Sequence, residues 1–168
     1  ALDSEFQPGS YFNGYGPLWA IPTEVSTRTF FYNPDAFANA GLSEPPADFT
    51  AVNWTWDEFV ATLQLLTSDT NGDGIPEMYG LQPHFGLDQL RHIWDAHYLS
   101  EDYSSFTGTK PALVDALQKV VDLRWVYGVT GGRMASGTAA MAFSGQWEIE
   151  GINNSGVPWN LTVPPFGT

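Results

Sequence analysis

Ala139-Ala140-Met141-Ala142-Phe143-Ser144-Gly145-Gln146-Trp147 is the stretch that decides the fold. Its first five residues are apolar without alternation. A half-buried strand alternates apolar and polar side chains, whereas a strand covered on both faces reads as one apolar run. The stretch therefore predicts a buried strand over Ala139–Phe143. Trp147 then follows just past the strand's end, with Gln146 and Glu148 as polar neighbours.

Working outward, the link from Gly128 to Gly137 is mostly small residues, with Gly131-Gly132 as a flexible joint. Before it, Leu113, Ala116, Leu117, Val120, Leu123 and Tyr127 form a helical stripe, so a helix is expected over Pro111–Tyr127. Leu90, Ile93, Trp94 and Ala96-His97 predict another over Leu87–Leu99. Thr55 and Glu58 have capping-box spacing, and Phe59, Leu63 and Leu66 carry that helix to about Thr67. Asn33-Pro34 supplies an N-cap and first-turn proline for a short helix ending at Gly41. Strands are expected at Leu18–Ile21, Thr27–Tyr32, Met78–Gln82 and Trp159–Val163. Short strands separated by helices argue for an α/β layered domain with a parallel or mixed sheet.

At 168 residues the chain is long enough for one sizeable core, and hydrophobic residues at 43% supply it. With 6 Lys+Arg against 19 Asp+Glu, the formal net charge is −13. No basic stripe meets a phosphate backbone, so nucleic acid is excluded as a partner. No apolar run approaches the roughly 20 residues of a membrane helix, so no membrane insertion of this chain is expected. The first residues, Ala1-Leu2-Asp3-Ser4-Glu5, have no signal-peptide pattern. The absence of cysteine excludes disulfides and thiolate metal sites.

Asp69-Thr70-Asn71-Gly72-Asp73-Gly74-Ile75-Pro76-Glu77 is the densest chemical signal. Ca²⁺ takes about six to eight oxygens, and alternate residues of a tight loop can turn theirs inward. Asp69, Asn71 and Asp73 occupy the first, third and fifth places of such a loop. Ile75 offers its carbonyl and Glu77 takes the ninth place. Gly80 at the twelfth place lacks the usual carboxylate, and a plain Asn-Gly/Asp-Gly turn fits the same residues. Structural calcium is the expectation.

Elsewhere the residues point away from catalysis. Glu148 and Glu150 are close in sequence, whereas a glycosidase sets two carboxyls about 5–10 Å apart across a cleft. His92 and His97 miss the i, i+4 spacing of a two-histidine metal face. No enzyme activity is expected. Trp147 offers an aromatic face beside amide and carboxylate groups, which suits a sugar's apolar face and hydroxyl rim. A tryptophan at the edge of the core fits that position equally.

In order along the chain, Leu18-Trp19-Ala20-Ile21-Pro22-Thr23-Glu24, Phe31-Tyr32-Asn33-Pro34-Asp35-Ala36-Phe37, Thr55-Trp56-Asp57-Glu58-Phe59, Tyr79-Gly80-Leu81, Ala135 to Met141, Phe143-Ser144-Gly145-Gln146-Trp147 and Val163-Pro164-Pro165-Phe166 resemble the extracellular solute-binding proteins of sugar-importing ABC transporters. The resemblance implies a periplasmic-binding-protein-like type II fold, with two three-layer α/β/α lobes closing on a sugar. It implies that residues 1–17 lead to the hinge, that 18–168 form the second lobe, and that the other lobe is absent. It also implies sugar contacts at Trp147, Gln82, His84, Phe85, Gln146, Glu148, Ser26 and Arg28. A permease partner and an extracellular or periplasmic location, with a lipid anchor on the longer protein, follow from the same resemblance. A carbohydrate-active enzyme and a calcium-dependent adhesion module are the alternatives.

Overall fold

A computed structural model describes residues 26–50, 53–83, 87–102 and 104–167. The strand expected at Leu18–Ile21 and the lead-in segment 1–17 lie outside these residues. Among the described residues the strands are β1 (Arg28–Tyr32), β2 (Tyr79–Gln82), β3 (Ala139–Gly145) and β4 (Asn160–Thr162), in the order β2-β3-β1-β4. β3 runs parallel to β2, and β1 runs antiparallel to both β3 and β4. The sheet is mixed, and β3 is buried along its whole length.

The side-chain alternation of β1 assigns the two faces. Phe30 and Tyr32 join Phe59, Leu63 and Leu66 of α2 (Trp56–Leu66) in the larger core. Phe31 points the other way, with Ala142, Met134 and Ile152 of α4 (Glu148–Ser155) in the smaller one. Phe30 and Phe59 meet edge-on at 5.1 Å, and Trp54 and Trp56 close around the same phenylalanine. Helices thus cover both faces, the three-layer arrangement expected of an α/β lobe.

Local signals act where the sequence puts them. Asn33 Oδ1 accepts from Asp35 N at 2.9 Å and starts α1 (Pro34–Asn39). Thr55 Oγ1 accepts from Glu58 N at 3.3 Å and starts α2. α3 spans Pro111–Trp125. Elsewhere the structure departs from the sequence pattern. The helix expected over Leu87–Leu99 is a 3₁₀ helix over Leu87–Trp94, broken at Asp95, where φ is +52°. Residues 148–155, which the sequence reading left without structure, form α4. Trp125, the last residue of α3, is 75% exposed, because α3 turns Leu113, Ala116 and Leu123 inward.

Candidate functional site

The carboxyl ends of β2 and β3 and the amino end of β1 share one end of the sheet. Gln82 closes β2, Gly145 closes β3, and Arg28 opens β1 directly opposite Gly145. In open α/β sheets, ligands gather outside the carboxyl ends of strands. Ser26, Arg28, Gln82, Gln146, Trp147 and Glu148 all fall at this end. His84 and Phe85 lie outside the described residues.

These residues divide between the two faces. Trp147 sits between β3 and α4, and its indole is 48% exposed. The Arg28 guanidinium carbon lies 5.1 Å from its ring centre, a cation–π distance. The ring also lies over Gly145: a methyl group there would come within 2.4 Å of Cη2 and Cζ3. Ser26 and Gln146 are exposed beside this pair. On the other face, the Ser144 hydroxyl is buried and donates to Glu148 Oε2 at 3.3 Å. Gln82 is buried there too, and its Oε1 accepts from Met134 N at 2.8 Å. Its amide oxygen fastens the end of β2 to the turn that feeds β3, a partner 52 residues away that spacing does not reveal.

The 69–77 loop belongs to the sheet's opposite end, where β2 begins. Ser68 and Met78 pair across its base, with Ser68 N donating to Met78 O at 2.9 Å. Gly72 and Gly74 have φ of +78° and +86°, conformations that glycine adopts without strain. Asp69 accepts from Gly74 N at 2.8 Å and from Gly72 N, and these bonds hold its carboxyl below the usual carboxylate range. Asn71 Oδ1 accepts from Asp73 N and Asp73 Oδ1 from Ile75 N, both at 2.8 Å. Carboxylate oxygens of Asp69, Asp73 and Glu77 converge within 4.8 Å of one another. Glu77 also accepts from Thr70 N at 2.7 Å, which draws it over the loop.

Residues 1–167 match the family model described as bacterial extracellular solute-binding protein. The chain belongs to that family. Among solved structures, this solute-binding protein is similar to MalE from Bdellovibrio bacteriovorus, a maltose/maltodextrin-binding domain bound to maltotriose. The TM-score is 0.76 at 20% identity, over 98% of this chain and 44% of that one. It is also similar to the ABC substrate-binding protein Lmo0181 from Listeria monocytogenes in complex with cycloalternan, with a TM-score of 0.71 at 22% identity over 85% and 38% of the two chains. UspC of M. tuberculosis gives 0.71 at 18% identity over 96% and 49%. The chain thus spans less than half the length of each of these structures, which share its type II periplasmic-binding-protein-like fold. Comparison with curated proteins gives no match.

A separate open cavity of about 690 Å³ is walled by Arg91, His92, Asp95, His97, Tyr98 and Glu101, among others. Among the described residues, none of those at the strand ends lines it. Gly145 is the residue at the strand end that sequence reading passed over. Gly145-Gln146-Trp147 is its signal in the sequence, and its meaning depends on the ring folding back over the strand.

Proposed function

We propose that this solute-binding protein captures a sugar or oligosaccharide without covalent chemistry, with the present chain supplying one lobe of the binding cleft. The observation that carries the proposal is the half-exposed indole of Trp147 at the carboxyl end of β3. An indole face matches the apolar C–H face of a pyranose, and polar side chains beside it would replace hydroxyl hydration. Family membership and the sugars bound to the similar MalE and Lmo0181 structures support the same ligand class. Delivery to an ABC permease outside the cytoplasm, by a lipid-anchored or free longer protein, completes the proposal. No helix among the described residues is long and apolar enough to cross a membrane.

One lobe encloses only half of a ligand. The expected affinity for this chain is therefore millimolar or weaker, about −4.1 kcal/mol at 1 mM. Titration calorimetry with maltose, xylo-oligosaccharides and cello-oligosaccharides tests this. Weak saturable binding that disappears in Trp147→Ala is expected. Micromolar binding by the 168-residue chain would refute the half-cleft argument, and no response to any sugar at high concentration would remove the sugar reading.

We also propose that the 69–77 loop holds Ca²⁺, with Asp69, Asn71, Asp73 and Glu77 giving side-chain oxygens and Ile75 its carbonyl. The supporting observation is the convergence of three carboxylates in one glycine-shaped loop. Gly80, in the twelfth place, lies in β2 and brings no side-chain ligand, so an incomplete shell and modest affinity are expected.

A further inference from the structure

The indole of Trp147 lies against Gly145 and Arg28. Cross-strand partners in an antiparallel pair project from the same face, with Cβ positions roughly 4.5–5.5 Å apart. Arg28 and Gly145 are such a pair. They share the face that carries Phe30 and Phe143, because side chains alternate along each strand. Beyond Gly145 the chain turns into α4, and Trp147 has helical backbone angles, φ −67° and ψ −18°. Its side chain returns over the strand just left. The six-membered ring fills the space that a side chain at position 145 would need: a methyl group there would lie 2.4 Å from Cη2 and Cζ3 and 2.9 Å from Cε3. Gly145 is consequently buried although it ends its strand.

Arg28 closes the cradle from the neighbouring strand, its guanidinium carbon 5.1 Å from the ring centre. The glycine is not required by its backbone. Gly145 does not have a positive φ, so alanine is permitted by conformation, and the nearest atoms that oppose it belong to the ring. The opposing atoms are the far end of a half-exposed side chain that can swing outward. An alanine at 145 would therefore displace the indole and leave the sheet intact.

We propose that Gly145 and Arg28 are positioning residues that lock the Trp147 indole in one orientation before ligand arrives. This rests on the reading of Trp147 as the sugar platform. An indole already fixed loses little freedom on binding, whereas a displaced one must be ordered again, and that ordering weakens affinity by roughly two- to tenfold per side chain. Gly145→Ala removes the floor of the cradle and Arg28→Ala removes its wall. Arg28→Lys keeps the charge but loses the flat guanidinium that stacks on the ring.

The test uses the chain labelled with 5-fluorotryptophan, with the Trp147 fluorine resonance assigned through Trp147→Phe. In Gly145→Ala the Trp147 resonance is expected to shift and broaden while the other tryptophan resonances stay in place. Arg28→Ala should move the same resonance, and Arg28→Lys should restore it in part. An unmoved Trp147 resonance in both Gly145→Ala and Arg28→Ala would overturn the cradle. If Gly145→Ala fails to fold, as circular dichroism would show, the inference that only the ring opposes a side chain there is wrong. Titration of maltotriose and xylotriose into the same proteins reads the consequence, with a two- to tenfold weakening expected in Gly145→Ala. A displaced ring with unchanged affinity would overturn the positioning role. Sugars that bind neither the parent chain nor the variants would count against the sugar reading, while the fluorine spectra decide the cradle independently.

Discussion

Replacing Gln82 by leucine separates a ligand contact from a structural lock. In the structure Gln82 Oε1 accepts from Met134 N at 2.8 Å, and both residues are buried. Leucine has similar volume and no acceptor, so the substitution leaves the Met134 N–H without its partner in a water-poor setting. An unsatisfied buried donor costs about 1–3 kcal/mol. For a domain of this length each 1 kcal/mol lowers Tm by about 2–4 °C, so a fall of about 2–12 °C is expected. Urea unfolding should show a lower midpoint with an unchanged slope, the sign of lost stability rather than a changed unfolded state. Hydrogen exchange supplies the local readout: the Met134 amide should be protected in the parent chain and exchange faster in Gln82→Leu. A stability change within the roughly 0.5 kcal/mol typical of surface substitutions, with Met134 still protected, would refute the lock and return Gln82 to the ligand.

Gly80→Ala should destabilise by about 1–3 kcal/mol through overpacking, since a methyl there would sit 2.4 Å from Leu63 O and 2.8 Å from Leu63 Cα, backbone atoms of α2 that cannot step aside; an unchanged Tm would show that α2 and β2 pack more loosely. Asp102 is held down to about 2 by hydrogen bonds from the Ser100 hydroxyl and then Ser104. Its stabilising effect should be complete above the ordinary value of 3.8 and lost as pH falls from there toward 2; a carboxyl NMR titration with a midpoint near the ordinary value would contradict those bonds. Calcium should raise the Tm of the parent chain in proportion to the logarithm of its concentration once the site fills, and Asp73→Ala should abolish the effect; an identical calcium response in both would place any bound ion elsewhere.

Much of this fold is legible because local and long-range preferences agree. β3 reads as buried from its composition alone, and it is buried throughout. Asn33 and Thr55 announce α1 and α2, and their side chains make the capping bonds. α4 is the opposite case. Glu148-Ile149-Glu150-Gly151-Ile152-Asn153-Asn154-Ser155 contains a glycine and two asparagines, weak helix formers, and only two isoleucines to mark a stripe. Tertiary packing makes it a helix, because Ile152 is wholly buried against Phe31, Ala142 and Met134. The site shows the same division. That Gln82 and Trp147 both lie at strand ends follows from the pattern, but a side-chain period of two means that only the register says which face each takes. The register sends Gln82 toward Met134, and the turn into α4 brings the Trp147 ring back toward Arg28. Two residues at one end of the sheet thus turn to opposite faces of it.

The sheet also decides how calcium and sugar can be related. The 69–77 loop leads into the start of β2 at Tyr79, and Gln82 marks its far end. At about 3.3 Å per residue, even this short strand holds the two ends roughly 10 Å or more apart. The loop carboxylates therefore belong to the end of the sheet away from Trp147. A cation there would act by bracing the entrance to β2, whose pairing with β3 sets the strand-end geometry. Any calcium dependence of sugar binding would then pass through stability. Asp73→Ala would lower the Tm measured in calcium while leaving the sugar affinity of the still-folded fraction unchanged, a separation that an adhesion module using the loop itself would not display.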